Sequence, residues 1–361
     1  MRTPGGATLI IAGLTVAGLT VAGLTACGND LDTRPQDVRD LRILAICADH
    51  PETFVVAETQ SVGSIGLAGL AGLSGWPYSV TEAPPAVSLT ALVVDPEHTR
   101  RVFEASALAC VAGTNVRCDE GAPGTQRLFE RRATSAGVQR FTFEPSAETL
   151  NAFIAEDAYR GYGSLYVMID LTLQAPDGET LRATKILTYT RPGVTPAEDQ
   201  PPPPPPTVNT NPANWVLASD DTAPDAGQTL SSGPMGQFPA DRTDPTTLTF
   251  APGERWKTRI TLSGADPEYA VPRFPTGSDT NPGYELLEEQ LFLDFYALAG
   301  RWDTKSVSNR NLFGEVEELE ATYVAPESAA DFPTTLYLVS SDDRGGCAWG
   351  KVEVTRAEDT R

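Results

Sequence analysis

Apolar positions fall into two regimes along the chain. From Ala7 to Thr25 they run almost unbroken, with a five-residue Val/Ile-Ala-Gly-Leu-Thr repeat ending at Thr25. After Cys27 they break into short runs of Val, Ile, Leu, Thr, Phe and Tyr, bounded by Gly, Pro, Asp and Asn, which is the pattern of strands and turns. In a first lobe this pattern predicts strands at residues 41–48, 86–94, 138–143, 165–173 and 181–190. The last two flank Pro176-Asp177-Gly178, residue types that suit a tight turn, so they predict a hairpin. In a second lobe the candidates are 215–218, 246–250, 256–262, 289–298, 317–323, 335–340 and 348–354. One segment reads as helix: Ser146 as N-cap, with Ala147, Leu150, Phe153 and Ile154 at helical spacing. The expected fold class is mainly β, with two immunoglobulin-like β-sandwich domains and one short helix in the first.

An unbroken run of six prolines at 201–206 marks the join between the lobes, with Pro192 and Pro196 before it and Pro212 after it. Such a run cannot donate ladder hydrogen bonds and adopts an extended rod of roughly 3 Å per residue. It reads as a semi-rigid spacer that holds the second lobe away from the membrane; the alternative is a ligand for a proline-recognising domain. The expected organisation is a leader at 1–26, a tether at 27–38, a first sandwich at 39–191, a proline-rich linker at 192–212, a second sandwich at 213–357 and a tail at 358–361. Residues 66–75, GLAGLAGLSG, match neither strand nor ordinary loop. They read as a repeat-expanded insertion, or as an apolar tip formed by Leu67, Leu70 and Leu73.

Leu24-Thr25-Ala26-Cys27 resembles the lipobox that closes a bacterial lipoprotein signal peptide. The resemblance implies cleavage before Cys27 and acylation of its thiol and amine, so that buried methylenes anchor the chain. The alternative is a transmembrane anchor, since roughly 20 apolar residues span a bilayer. Against it stand the cysteine at the end of the run and the absence of a basic flank, because Gly28-Asn29-Asp30 follows directly. Gly28 in place of Asp after the cysteine implies, by the same resemblance, the outer membrane of a diderm envelope.

The formal net charge of −21 becomes one unit more negative once Arg2 is removed. A chain of that charge is repelled by phosphate backbones, so no nucleic-acid partner is expected. With Cys27 acylated, Cys47, Cys110, Cys118 and Cys347 remain, and four cysteines allow three connectivities. Cys110 and Cys118 flank a turn-rich loop short enough to close, and a disulfide there suits an oxidising compartment. Cys47 and Cys347 read as two buried thiols, the alternative being a bridge between lobes.

Catalytic patterns are sparse. His50 and His98 both sit in turn-like contexts, and neither belongs to a Gly-x-Ser-x-Gly, His-Glu-x-x-His or catalytic cysteine motif. No cysteine pair has CxxC spacing, and no cofactor is implied. Two acidic clusters, Asp220, Asp221 and Asp225, then Asp342 and Asp343 with Arg344, read as polar turns that double as candidate binding loops; calcium is the alternative. A glycan-binding or glycan-cleaving protein would instead expose Trp215, Trp256, Trp302 or Trp349 on one face beside a carboxylate pair.

Several stretches resemble uncharacterised myxobacterial lipoproteins. They are Asp40 through Ile46 with His50-Pro51-Glu52, Val87 through Val93, Asp157 through Gly163, LFLDFYALAG at 291–300, and Asp343-Arg344-Gly345-Gly346 followed by Trp349. The resemblance covers most of the mature chain and implies lipidated, exported proteins with immunoglobulin-like lobes, without catalytic residues to carry over. The expected function is a non-enzymatic binding or assembly role in the cell envelope. The membrane is engaged through Cys27, and an envelope protein or a glycan is the expected partner.

Overall fold

The computed structural model describes residues 38–59, 78–98, 100–113, 117–158, 160–161, 163–191, 201, 209, 214–219, 229–231, 246–263, 269–273, 283–310 and 319–357. The leader, Cys27, the tether up to Asp37 and the GLAGLAGLSG stretch lie outside them.

The first lobe contains β1 (Arg42–Ala48), β2 (Glu52–Phe54), β3 (Ala57–Thr59), β4 (Tyr78–Val80), β5 (Val87–Val94), β6 (Val102–Val111), β7 (Thr125–Ser135) and β8 (Gly137–Phe143). A helix α1 (Ala147–Glu156) then precedes β9 (Leu165–Gln174) and β10 (Thr180–Thr190). A three-stranded sheet in the order β1-β5-β8 and a five-stranded sheet in the order β2-β10-β9-β6-β7 contribute to one apolar core. The predicted hairpin is β9–β10, antiparallel from Tyr189 opposite Leu165 to Thr180 opposite Gln174, with Gly178 at φ 93° in its turn. Helix α1 forms as expected: the Ser146 hydroxyl accepts from Thr149 N at 3.0 Å, and Leu150, Phe153 and Ile154 are buried. On the same helix, Asn151 bonds both the N–H and the C=O of Val80, taking the place of a strand neighbour to β4.

The second lobe contains β11 (Asn214–Ser219), β12 (Thr229–Ser231), β13 (Thr246–Phe250), β14 (Arg255–Ser263), β15 (Tyr269–Arg273) and β16 (Gly283–Leu287). It continues through β17 (Leu291–Ala297), β18 (Arg301–Trp302), β19 (Ser306–Ser308), β20 (Leu319–Val324), β21 (Thr334–Asp342) and β22 (Cys347–Arg356). Two five-stranded sheets, β12-β11-β14-β20-β18 and β13-β22-β21-β17-β19, bury Phe250, Trp256, Phe295, Trp302 and Tyr323 between them. The rings of Phe295 and Trp302 lie 4.6 Å apart and those of Trp302 and Tyr323 5.3 Å, within the range of favourable ring contacts.

Gly300 shows how tightly this core closes. Its φ is +79°, and a Cβ there would stand 2.5 Å from Tyr323 Oη and 2.6 Å from Val324 O. Gly300→Ala is therefore expected to combine a left-handed backbone penalty with overpacking, lowering stability by about 2–4 kcal/mol. Loss of the Tyr323 hydroxyl's bond to Ala299 O would accompany the change. A denaturant midpoint within error of the native chain's would show that the turn adapts freely.

The lobes pack directly on one another. Most inward-facing residues of β1 and β5, such as Ile43, Ile46, Val87, Leu89 and Ala91, belong to the first lobe's core. Leu44, Ala45, Cys47, Leu92 and Val94 form a separate cluster with Tyr337, Val339 and Cys347 of β21 and β22. A bulge between Ile43 and Ala45 lets Leu44 and Ala45 both join that cluster. Cys47 and Cys347 are disulfide-bonded across it, with Cα atoms 5.2 Å apart, so the expectation of two buried thiols is corrected. Asn209 is buried at the lobe junction, and Pro201 O accepts a hydrogen bond from Tyr284 Oη at 2.9 Å, so the linker's described residues lie against the lobes they connect.

Candidate functional site: the polar seam between the lobes

Beside the apolar cluster, the β21–β22 hairpin turn reaches into the first lobe. Ser341 pairs with Cys347 at the end of the ladder, and Asp342 N donates to Gly346 O at 3.1 Å to close the turn. Gly345 lies so close to the first lobe that a Cβ there would meet Ile186 O at 3.4 Å and Pro51 Cβ at 3.9 Å. Into this contact the sequence places four acids, two bases and an amide.

Arg344 forms an ion pair with Glu52, their side chains 8% and 11% exposed, and its second terminal nitrogen lies 4.0 Å from Glu289. Glu52 also accepts from Asn209 N at 3.1 Å and from Thr190 Oγ1 at 2.9 Å. Lys185 stands in β10 between the core residues Ala183 and Leu187, and its ammonium leaves that core to donate to Gly345 O. Asp342 Oδ1 accepts three hydrogen bonds, from Gly346 N at 2.6 Å, Arg344 N at 2.9 Å and Asn209 Nδ2 at 3.2 Å. Its Oδ2 is buried without a hydrogen-bond partner among the described residues. Burial pushes the Asp342 carboxyl up to about 6, against the opposing pull of Gly346 N–H, Lys185 and Asn209, while Asp343 adds to the rise.

Because the folded chain holds the Asp342 proton more tightly than the unfolded one, this group's contribution is fully present below about pH 4. It is lost as pH rises through about 6. Between pH 4 and 7 the native chain is expected to lose on the order of 2–3 kcal/mol relative to Asp342→Asn, which titrates nothing at that position. Parallel urea titrations of the two proteins across that range check it; a constant difference would contradict a buried, protonatable Asp342.

The sequence-predicted site residues divide clearly. Cys27, Asp220, Asp221 and Asp225 lie outside the described residues. Cys110 and Cys118 are joined, as expected, with Cα atoms 5.6 Å apart, over an outer-face cluster with Met168. Asp342 and Arg344, read as candidate binding-loop residues in a polar turn, lie at the lobe junction, where Asp342 accepts from Asn209 and Arg344 pairs with Glu52; Asp343 N donates to Gln290 O at 3.1 Å. His50 and His98 are exposed, and His98 N donates to Asp95 Oδ1 at 3.1 Å in a turn. Trp215, Trp256 and Trp302 are buried in the second core, and Trp349 packs partly buried at the seam. The aromatic platform that the glycan reading requires is therefore not formed by Trp215, Trp256 and Trp302.

Glu52, Lys185, Asn209 and Glu289 were not singled out by sequence reasoning as site residues. Glu52 and Arg344 are 292 positions apart, and nothing local marks them as partners. Among the described residues, no group of three or more His, Cys, Asp or Glu is arranged to hold a metal ion. Chemically, the seam can couple the two lobes and sense protonation. No model of a known protein family matches the chain, and no curated protein matches it either.

Proposed function

We propose that this chain is an exported lipoprotein, acylated at Cys27, whose two immunoglobulin-like lobes act as one rigid body in a non-enzymatic binding or assembly role at the outer membrane. The observation that carries the reading is the pair of disulfides, one of which locks the lobes together. Such bonds persist in oxidising compartments outside the cytosol, which agrees with a lipobox at Cys27.

The immunoglobulin-like assignment is supported by strand order. In the first lobe, β1-β5-β8 lie in one sheet, and the other runs β10-β9-β6-β7 with short β2 parallel to β10. The second lobe repeats this with β11-β14-β20-β18, and with β22-β21-β17-β19 carrying β13 parallel to β22. Two antiparallel sheets with this crossing order and one short parallel edge strand match that Greek-key class. The non-enzymatic role is supported by the internal commitment of both seam cations, Arg344 to Glu52 and Lys185 to Gly345 O.

Metabolic labelling with palmitate tests the anchor. The native chain is expected to take up label and to partition with membranes, whereas Cys27→Ser is expected to lose both properties. Retention of the native membrane association by Cys27→Ser would point to the apolar leader as an uncleaved span. Cross-linking on intact cells then addresses the role: one dominant envelope protein joined to the chain supports assembly, while recovery of glycan alone favours the carbohydrate reading.

A further inference from the structure

Side chains alternate along a strand, so Tyr284 and Leu286 of β16 share one face of the two-stranded β15–β16 hairpin. Leu286 is 42% exposed, whereas Tyr284 is buried. Two strands alone do not enclose a side chain, so another part of the chain lies over the Tyr284 ring. The described contact there is Pro201, whose carbonyl accepts from Tyr284 Oη at 2.9 Å and which opens the six-proline run. Proline has no N–H, so a polyproline helix leaves its carbonyls to outside donors and presents its rings to aromatic and apolar side chains. Aromatic-lined surfaces recognise such helices in this way.

Both ends of the run are fixed along β16. The run starts at Tyr284, and Asn209, just beyond its end, is held at the lobe junction, where its N–H donates to Glu52 at 3.1 Å. Arg344 pairs with Glu52 and reaches Glu289, which lies just past the end of β16, at 4.0 Å. Tyr284 and Glu289 are separated by at most roughly 17 Å of extended chain, at about 3.3 Å per residue. A polyproline path from Pro201 to Asn209 covers roughly 25 Å, at about 3.1 Å per residue. The two paths share their ends and differ by under ~10 Å, so a stiff run has little slack with which to leave the strand. Leu286 stands between those ends.

We infer that the Tyr284 and Leu286 face of the β15–β16 hairpin is a polyproline-binding surface, and that its occupant is this chain's own run at 202–206. The proline rings cover Leu286, and the run braces the hairpin against the lobe junction. Filled from within, the face is closed to a proline-rich segment of another protein.

Photo-cross-linking of the full chain tests it. A benzophenone amino acid replaces Leu286 or, as a reference, Val102, which is exposed at the start of β6 in the first lobe. After irradiation and digestion, adducts are mapped by mass spectrometry. The account predicts that position 286 joins the peptide carrying residues 201–209 of the same chain, at least tenfold more often than position 102 does. Replacing prolines 202–206 with a Gly/Ser segment of equal length is expected to lower that yield at least fivefold, because a flexible segment loses the preformed helix. Adducts from 286 mainly to a second copy or to another protein, no adduct at all, or a yield unchanged by the Gly/Ser replacement would overturn the assignment of this occupant.

Discussion

Arg344→Ala is expected to destabilise the folded chain by about 3–5 kcal/mol, because it strands a carboxylate that the fold has removed from water. Glu52 keeps hydrogen bonds from Asn209 N and Thr190 Oγ1 but loses its counter-ion, and Glu289 loses a guanidinium nitrogen 4.0 Å away. The pair itself need not stabilise the fold much. Desolvating both charges costs about as much as their attraction returns, so the double replacement Glu52→Gln with Arg344→Met is expected to recover most of the loss. A double-mutant cycle from urea midpoints gives the coupling. A loss under about 1 kcal/mol for Arg344→Ala, the size seen for exposed ion pairs, would mean that water reaches the seam.

Removing the interlobe disulfide, by Cys47→Ala with Cys347→Ala, is expected to cost about 2–5 kcal/mol. The bond spans 300 positions, against 8 for Cys110–Cys118, so loop-closure reasoning assigns it the larger share; the short loop contributes about 3 kcal/mol or less. The form of the transition should change too. Each lobe has its own core, and the seam is what makes them unfold together. The native chain is expected to melt in a single step, and the variant in two separable steps. A single step in both would mean that the apolar cluster and the Arg344 network suffice for coupling.

Much of this architecture was legible in the sequence. Strands such as β17, whose buried and half-buried positions alternate strictly, announce themselves by period, and Ser146 marks the helix start because its hydroxyl satisfies an N–H that the helix cannot. Strand β6 was missed because, after Phe103, its inward positions are Ala105, Ala107 and Ala109, small residues with weak strand preference. Strand β7 was missed because it is an edge strand rich in exposed arginine. The seam left a trace that could have been read: β1 and β5 are apolar on almost every residue rather than every second one, the mark of a strand buried on both faces. Which surface covers the second face is a long-range fact. Neither the pairing of Cys47 with Cys347 nor that of Glu52 with Arg344 has a local signature. The proline run suggested separation because its stiffness is a local property, whereas the return of Asn209 to the seam is not.

The central claim is that two β lobes are locked into one body across the Cys47–Cys347 seam, and thiol-trapped peptide mapping tests it most directly. Protein taken directly from the cells that produce it is alkylated before any reductant is added, digested, and examined by mass spectrometry. The account predicts a linked peptide pair carrying Cys47 and Cys347, alongside the Cys110–Cys118 loop. Recovery of Cys47 and Cys347 as separately alkylated thiols would contradict it.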